Sequence, residues 1–253
     1  MQSNLVVALV LLLVTGDSNA GGDHTSSHAM HREHAVVSAE DRTKVASLDI
    51  LAAYAHRKGN VVTFRMTTNG VAGADKPDAV GQLGGAPAYA YVWPTSLDPY
   101  TVGFDKEAGI LALAAAVHPD FDDTPLFDEN RDGDASNDGQ TWHSHWVVLT
   151  PTEACGPGAL AVKDIPEGAK PRLPATWPGL PILLDSPGFT PLFDGPEVEV
   201  NVSFNQGVSA KDVSYDGVTA ALRVNANIHA PLFCVTDVFD IASGDLSLPG
   251  KIK

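Results

Sequence analysis

The chain of 253 residues is short of positive charge: 16 Lys and Arg stand against 31 Asp and Glu, a formal net charge of −15. Nucleic acid and anionic membrane surfaces are repelled by such a balance, whereas cations are attracted. Metal ions are therefore the expected partners, with no nucleic acid and no membrane contact beyond export. Cysteine is scarce too, with Cys155 and Cys234 as the whole complement. Neither belongs to a C-x-x-C pair, so a single disulfide between them is the preferred reading over a thiolate ligand or nucleophile. No apolar run reaches the ~20 residues that a membrane span needs. Signatures of common catalysis are missing as well: there is no G-x-S-x-G, Walker A loop, dinucleotide fingerprint, H-E-x-x-H or C-x-x-C-H. Gly81-Gln82-Leu83-Gly84-Gly85 is glycine-rich but does not match a phosphate loop.

What is present begins with Leu5–Val14, an apolar run of signal-peptide length, roughly 7–15 residues. A polar break at Thr15–Asp17 and the small residues of Ser18-Asn19-Ala20 follow, although the start carries no Lys or Arg. Cleavage before Gly21 and a periplasmic or secreted product are expected, with an uncleaved N-terminal anchor as the alternative. Residues 1–20 then form the signal peptide, and 21–37 a His-rich flexible tail carrying His24, His28, His31 and His34. Residues 38–253 form one domain.

That domain reads as all-β. Ser38-x-x-Asp41 has the form of a capped helical turn, but strands follow. Asp49–His56 and Val61–Thr68 flank Arg57-Lys58-Gly59-Asn60 as a hairpin, and Val62, Phe64 and Met66 alternate with Thr63, Arg65 and Thr67. Further β-rich runs lie at 88–93, 110–117, 141–150, 159–162, 181–184, 197–204, 218–228 and 233–241. Of these, Ile110–Val117 is alanine-rich enough to be read as helix too. Many short strands separated by 23 Gly and 18 Pro, with few helical periods between them, point to an antiparallel β-sandwich with long Pro/Gly-rich loops.

Two motifs carry metal chemistry. Asp128, Asn130 and Asp132 place oxygen donors at alternate positions with Gly133 next, while Asp134, Ser136 and Asp138 follow within reach. This dozen residues resembles the calcium loop of EF-hand proteins, because Ca²⁺ takes six to eight oxygens at ~2.3–2.6 Å and a tight loop brings alternate side chains together. The resemblance implies a Ca²⁺ loop and not an EF-hand domain, since Gly139 stands where the bidentate Glu belongs and no helices flank it. Asp120, Asp122 and Asp123 lie close enough in sequence to add a ligand. A solvated acidic loop is the alternative.

Immediately afterwards comes Thr141-Trp142-His143-Ser144-His145-Trp146. On a strand, His143 and His145 share one face, about 6–7 Å apart along it, and can meet one ion from one side. His118 and His229 are the candidates for a third ligand. Three or four imidazoles suit Cu²⁺ or Zn²⁺. The string His-x-His-Trp resembles the zinc-binding strand of α-type carbonic anhydrases, but no other stretch does, so the resemblance implies a metal-binding strand and no hydratase activity. The competing view makes these core histidines, since they share their face with Val147 and Leu149. Trp142 and Trp146 fall on the opposite face, as packing residues rather than a carbohydrate platform.

Three functional classes fit these observations. The preferred one is an exported metal-binding protein for sequestration or delivery, with a calcium-stabilised loop and a copper or zinc histidine site. The others are a metal-dependent enzyme with an open His-ligated position and a calcium-stabilised ligand- or carbohydrate-binding module.

Overall fold

The computed structural model describes residues 34–122, 127–205 and 207–253. The expected signal peptide, its cleavage site, His24, His28, His31 and Asp123 lie outside the described residues. Fourteen strands among the described residues are numbered in chain order. They are β1 (Val36–Val37), β2 (Ile50–Lys58), β3 (Val61–Thr68), β4 (Pro87–Pro94), β5 (Ile110–Val117), β6 (His143–Pro151) and β7 (Leu160–Val162). Then come β8 (Leu184–Asp185), β9 (Leu192–Asp194), β10 (Glu197–Ser203), β11 (Ser214–Tyr215), β12 (Val218–Val224), β13 (Phe233–Ile241) and β14 (Gly250–Lys251). The all-β reading and the β2–β3 hairpin are observed. Ser38–Asp49 forms turns with no helix, because the Asp41 carboxylate accepts from Thr43 N and Oγ1 and closes a local turn. No helix among the described residues is long and apolar enough to cross a membrane.

The sheets differ from a simple pair of facing layers. One is an open, antiparallel five-stranded sheet in the order β1-β2-β3-β10-β9. The pairing of Val36–Val37 with Ala53 and Ala52 carries it two residues into the segment read as tail. The larger sheet runs β5-β4-β12-β13-β7-β6 and closes through β5–β6 pairing into a six-strand barrel, with β8 beside β7 on the other edge of β6.

Alternation then divides the buried apolar residues of β4, β5 and β6 between two cores. Tyr91, Trp93, Leu111, Leu113, Trp146 and Val148 leave the barrel and pack under the open sheet, where Phe64 meets both Trp93 and Trp146 at 6.2 Å between ring centroids. Ala90, Val92, Ala114, Ala116, Val147 and Leu149 point into the barrel. Burial on both faces explains why Ile110–Val117 shows no polar alternation: it is a strand with two apolar environments. Trp142 packs too, at 5.2 Å from Tyr91 and 5.4 Å from Phe193, so the two tryptophans are packing residues.

The barrel interior holds a cavity of about 230 Å³, kept open by alanines where larger side chains usually fill a small barrel. At ~24 cal/mol per Å³, leaving that volume unfilled by side chains costs about 5 kcal/mol.

The Cys155–Cys234 disulfide forms as expected and ties the short 3-10 turn after β6 to β13, across 79 residues of chain. Constraining the unfolded chain in this way stabilises by about 2–4 kcal/mol. Replacing both cysteines with serine is expected to lower the thermal midpoint by roughly 5–15 °C, measured by circular dichroism. An unchanged midpoint would show that the sheet contacts alone fix this edge of the barrel.

Candidate metal centre

All three histidines of the centre belong to the β5–β6 pair or its immediate end. Register sets Ala116 opposite His143 and Ala114 opposite His145. His118 follows one residue after β5, on the inward-facing parity of Ala114 and Ala116. Three buried rings therefore converge: His118 and His145 are 3% exposed and His143 is 0%. One ligand nitrogen from each lies within 4.8 Å of the other two. Ring centroids are 4.6 Å apart for His118–His143 and for His143–His145, both pairs nearly perpendicular. Among the described residues, these three are where His, Cys, Asp or Glu atoms gather in the way an ion needs.

Each ring has its other nitrogen engaged. Nδ1 of His118 faces the Phe121 carbonyl at 2.6 Å, and that of His143 faces the Thr141 carbonyl at 2.9 Å. Nδ1 of His145 lies 3.3 Å from the Asp185 carbonyl and 3.2 Å from Ser186 Oγ. A carbonyl only accepts, so each of these Nδ1 atoms is placed to donate, and Nε2 is the ring nitrogen that could ligate an ion. The consequence is sharpest between His118 and His143, whose Nε2 atoms stand 2.9 Å apart. Two imidazole lone pairs facing each other at that range repel unless a proton or a metal cation lies between them. Zn–N bonds of ~2.0–2.1 Å put tetrahedral nitrogens roughly 3.3–3.4 Å apart, so the cluster is near ligating dimensions. An all-imidazole donor set suits copper or zinc and is unlike the oxygen shells of calcium and magnesium.

Several partners of the rings are main-chain atoms that leave little trace in sequence. Phe121 stacks on His118, with centroids 4.3 Å apart and planes at 10°. Gly139 is the tightest point: a Cβ there would lie 1.9 Å from the Phe121 carbonyl oxygen and 2.8 Å from His118 Nδ1. The Gly139 carbonyl also accepts from His118 N at 2.7 Å. Asp185 offers its carbonyl to His145, while its buried carboxylate accepts from Thr176 Oγ1 at 2.7 Å. Desolvation raises the pKa of that carboxyl from the ordinary 3.8 to about 6. The native value exceeds the unfolded one, so its stabilising contribution is complete below pH 3.8 and is lost as pH rises through about 6.

His229 is a correction. It lies in the excursion between β12 and β13, with its side chain 41% exposed and Nδ1 3.0 Å from the Asp164 carboxylate, away from the three converging rings. Position before a turn gave it no inward direction; a surface carboxylate holds it instead.

The acidic loop also folds otherwise than a calcium shell. Its side chains are turned onto its own amides: Asp128 accepts from Asp132 N and Gly133 N, Asn130 from Asp132 N, and Asp132 from Asp134 N. Asp134 accepts from Ser136, and buried Asp138 accepts from Glu129 N and Asn130 N at 3.1 Å each. Hydrogen bonds from Asn137 and Ser136 hold the exposed carboxyls of Asp132 and Asp134 below the usual range. Among the described residues no three carboxylates of this loop converge on one point. What the loop does in this arrangement is join β5 to β6 and deliver Gly139 against His118.

No known protein family, curated protein or solved structure matches the chain.

Gly139→Ala is expected to push the Phe121 carbonyl and the His118 ring apart, leaving the barrel folded but weakening metal affinity by roughly 10–100-fold, the range seen when outer partners of a metal ligand are lost. Isothermal titration of the variant checks this. Affinity equal to wild type would mean that the close approach at Gly139 does not position His118.

Proposed function

We propose that this is an exported protein that holds one copper or zinc ion between the Nε2 atoms of His118, His143 and His145. The observation that carries the proposal is the combination of convergence and pre-set tautomers. Three buried imidazoles meet, and each has its Nδ1 spent on a main-chain carbonyl. Core histidines that serve packing alone have no need to aim lone pairs at one another. Export is supported by the disulfide, which persists in oxidising compartments, and by the apolar run at Leu5–Val14.

Three imidazoles supply three of the four ligands that a tetrahedral zinc takes. Calcium is not part of this reading.

Metal-free protein titrated with Zn²⁺ or Cu²⁺ is expected to take up one ion per chain at this centre, followed by native mass spectrometry and calorimetry. Substituting Co²⁺ should give the visible bands of a four-coordinate nitrogen site. His143→Ala should lose at least about 100-fold in affinity with an unchanged far-ultraviolet spectrum, because two imidazoles replace three. Stoichiometric binding that survives loss of both His143 and His145 would contradict the proposal.

A further inference from the structure

Independently of any ion, we propose that the barrel interior is a binding site for an uncharged, compact hydrocarbon, admitted past the chain that joins β13 to β14. Side chains from all six barrel strands line the chamber, and most of them are aliphatic. Apart from His118 and His145 at one end, Thr95 is the polar side chain of this wall. Its hydroxyl is already engaged, donating to the Leu111 carbonyl at 2.9 Å and accepting from Leu97 N at 3.3 Å. An occupant therefore meets hydrocarbon over most of its surface. A charged molecule would lose its water there without replacement, so the wall selects for apolar ligands.

The volume selects for size. Ala90 on β4, Ala114 and Ala116 on β5 and Ala220 on β12 keep the chamber open from three strands. A larger aliphatic residue at any of these inward positions would fill space that the fold leaves open at a cost in stability. A cavity of about 150 Å³ lined by aliphatic side chains binds benzene, so about 230 Å³ suits roughly nine carbon atoms. That is the size of a single ring carrying a short branched chain.

The mouth of the chamber lies where β5 begins. Ile110, eight residues before His118, is 38% exposed although it lines the chamber. Val238 and Leu246 share that rim, 48% and 37% exposed. The chain between β13 and β14 crosses it from two fixed ends. At one, Ser243 N and Oγ both donate to the buried Asp216 carboxylate; at the other, Gly250 pairs with Tyr215. Between these anchors, Leu246 and Leu248 line the chamber with φ of 58° and 53°, a left-handed conformation that bulky side chains seldom take. Strain of this kind gathers in segments that clamp ligands or switch between states. A strap held at both ends, strained between them and presenting two leucines to an apolar chamber, fits a closure that a hydrocarbon passes.

The test uses full-length protein freed of metal with a chelator, so that its outcome is separate from that of the metal centre. Two probes, isopropylbenzene and benzoate, have nine non-hydrogen atoms each and differ in charge. Calorimetry should show isopropylbenzene binding one per chain, at least about 30-fold more tightly than benzoate. Methyl NMR should place it by cross-peaks to Leu246, Leu248 and Val238. Ala220→Leu fills the chamber from the strand opposite β6 and should lower the affinity for isopropylbenzene at least about 10-fold. Ala90→Val, a smaller change, should lower it several-fold and serves if the leucine variant does not fold. No binding of isopropylbenzene, equal affinity for benzoate, cross-peaks confined to residues outside the chamber, or undiminished affinity in the filled variants would each overturn the proposal.

Discussion

Nε2 of His118 and Nε2 of His143 face each other across 2.9 Å inside the barrel, after both rings have committed their Nδ1 protons to main-chain carbonyls. Left as neutral rings, they would repel, and neither is exposed enough for solvent to relieve the conflict. A proton or a metal cation between them would resolve it. Much of the surrounding architecture serves to maintain this arrangement: β5 and β6 fix the register, the acidic loop closes the connection between them, and Gly139 lets the His118 turn approach the start of β6.

The two cores divide the labour. Aromatic packing under the open sheet, with Phe64 between Trp93 and Trp146, holds the outer faces of β4, β5 and β6. Because those faces are secured from outside, the inner faces can carry small residues and imidazoles without being needed to fill the barrel. Burial of large rings outside offsets the instability of the chamber within, and the buried imidazoles stand where attraction between an ion and its ligands would be strong.

Much of this was legible in sequence because it follows from short-range periodicity. Period-2 alternation marked β3, and His143 and His145 shared a face by spacing alone. The disulfide followed from there being two cysteines and no metal-binding pair. Barrel closure was not legible: it depends on β5 meeting β6 across the acidic loop and on β7 meeting β13, pairings between segments with no local signal. His118 and His229 looked equivalent because both precede turns, and only the inward parity after β5 separates them. Gly139 had a visible role as the residue that breaks a calcium-loop pattern; the structure gives the physical reason for a glycine there, the 1.9 Å that any Cβ would leave to the Phe121 oxygen. The acidic spacing alone does not specify an ion, since Asp and Asn at alternate positions satisfy a tight loop's own amides as readily as they satisfy a cation.

The most direct examination of the central claim is X-ray absorption spectroscopy at the zinc or copper edge of the loaded protein. Three imidazole nitrogens at about 2.0 Å, identified by multiple scattering from their rings, with one further light atom, are the shell expected from His118, His143 and His145. A shell dominated by carboxylate oxygens, or containing no more than one imidazole, would contradict the account.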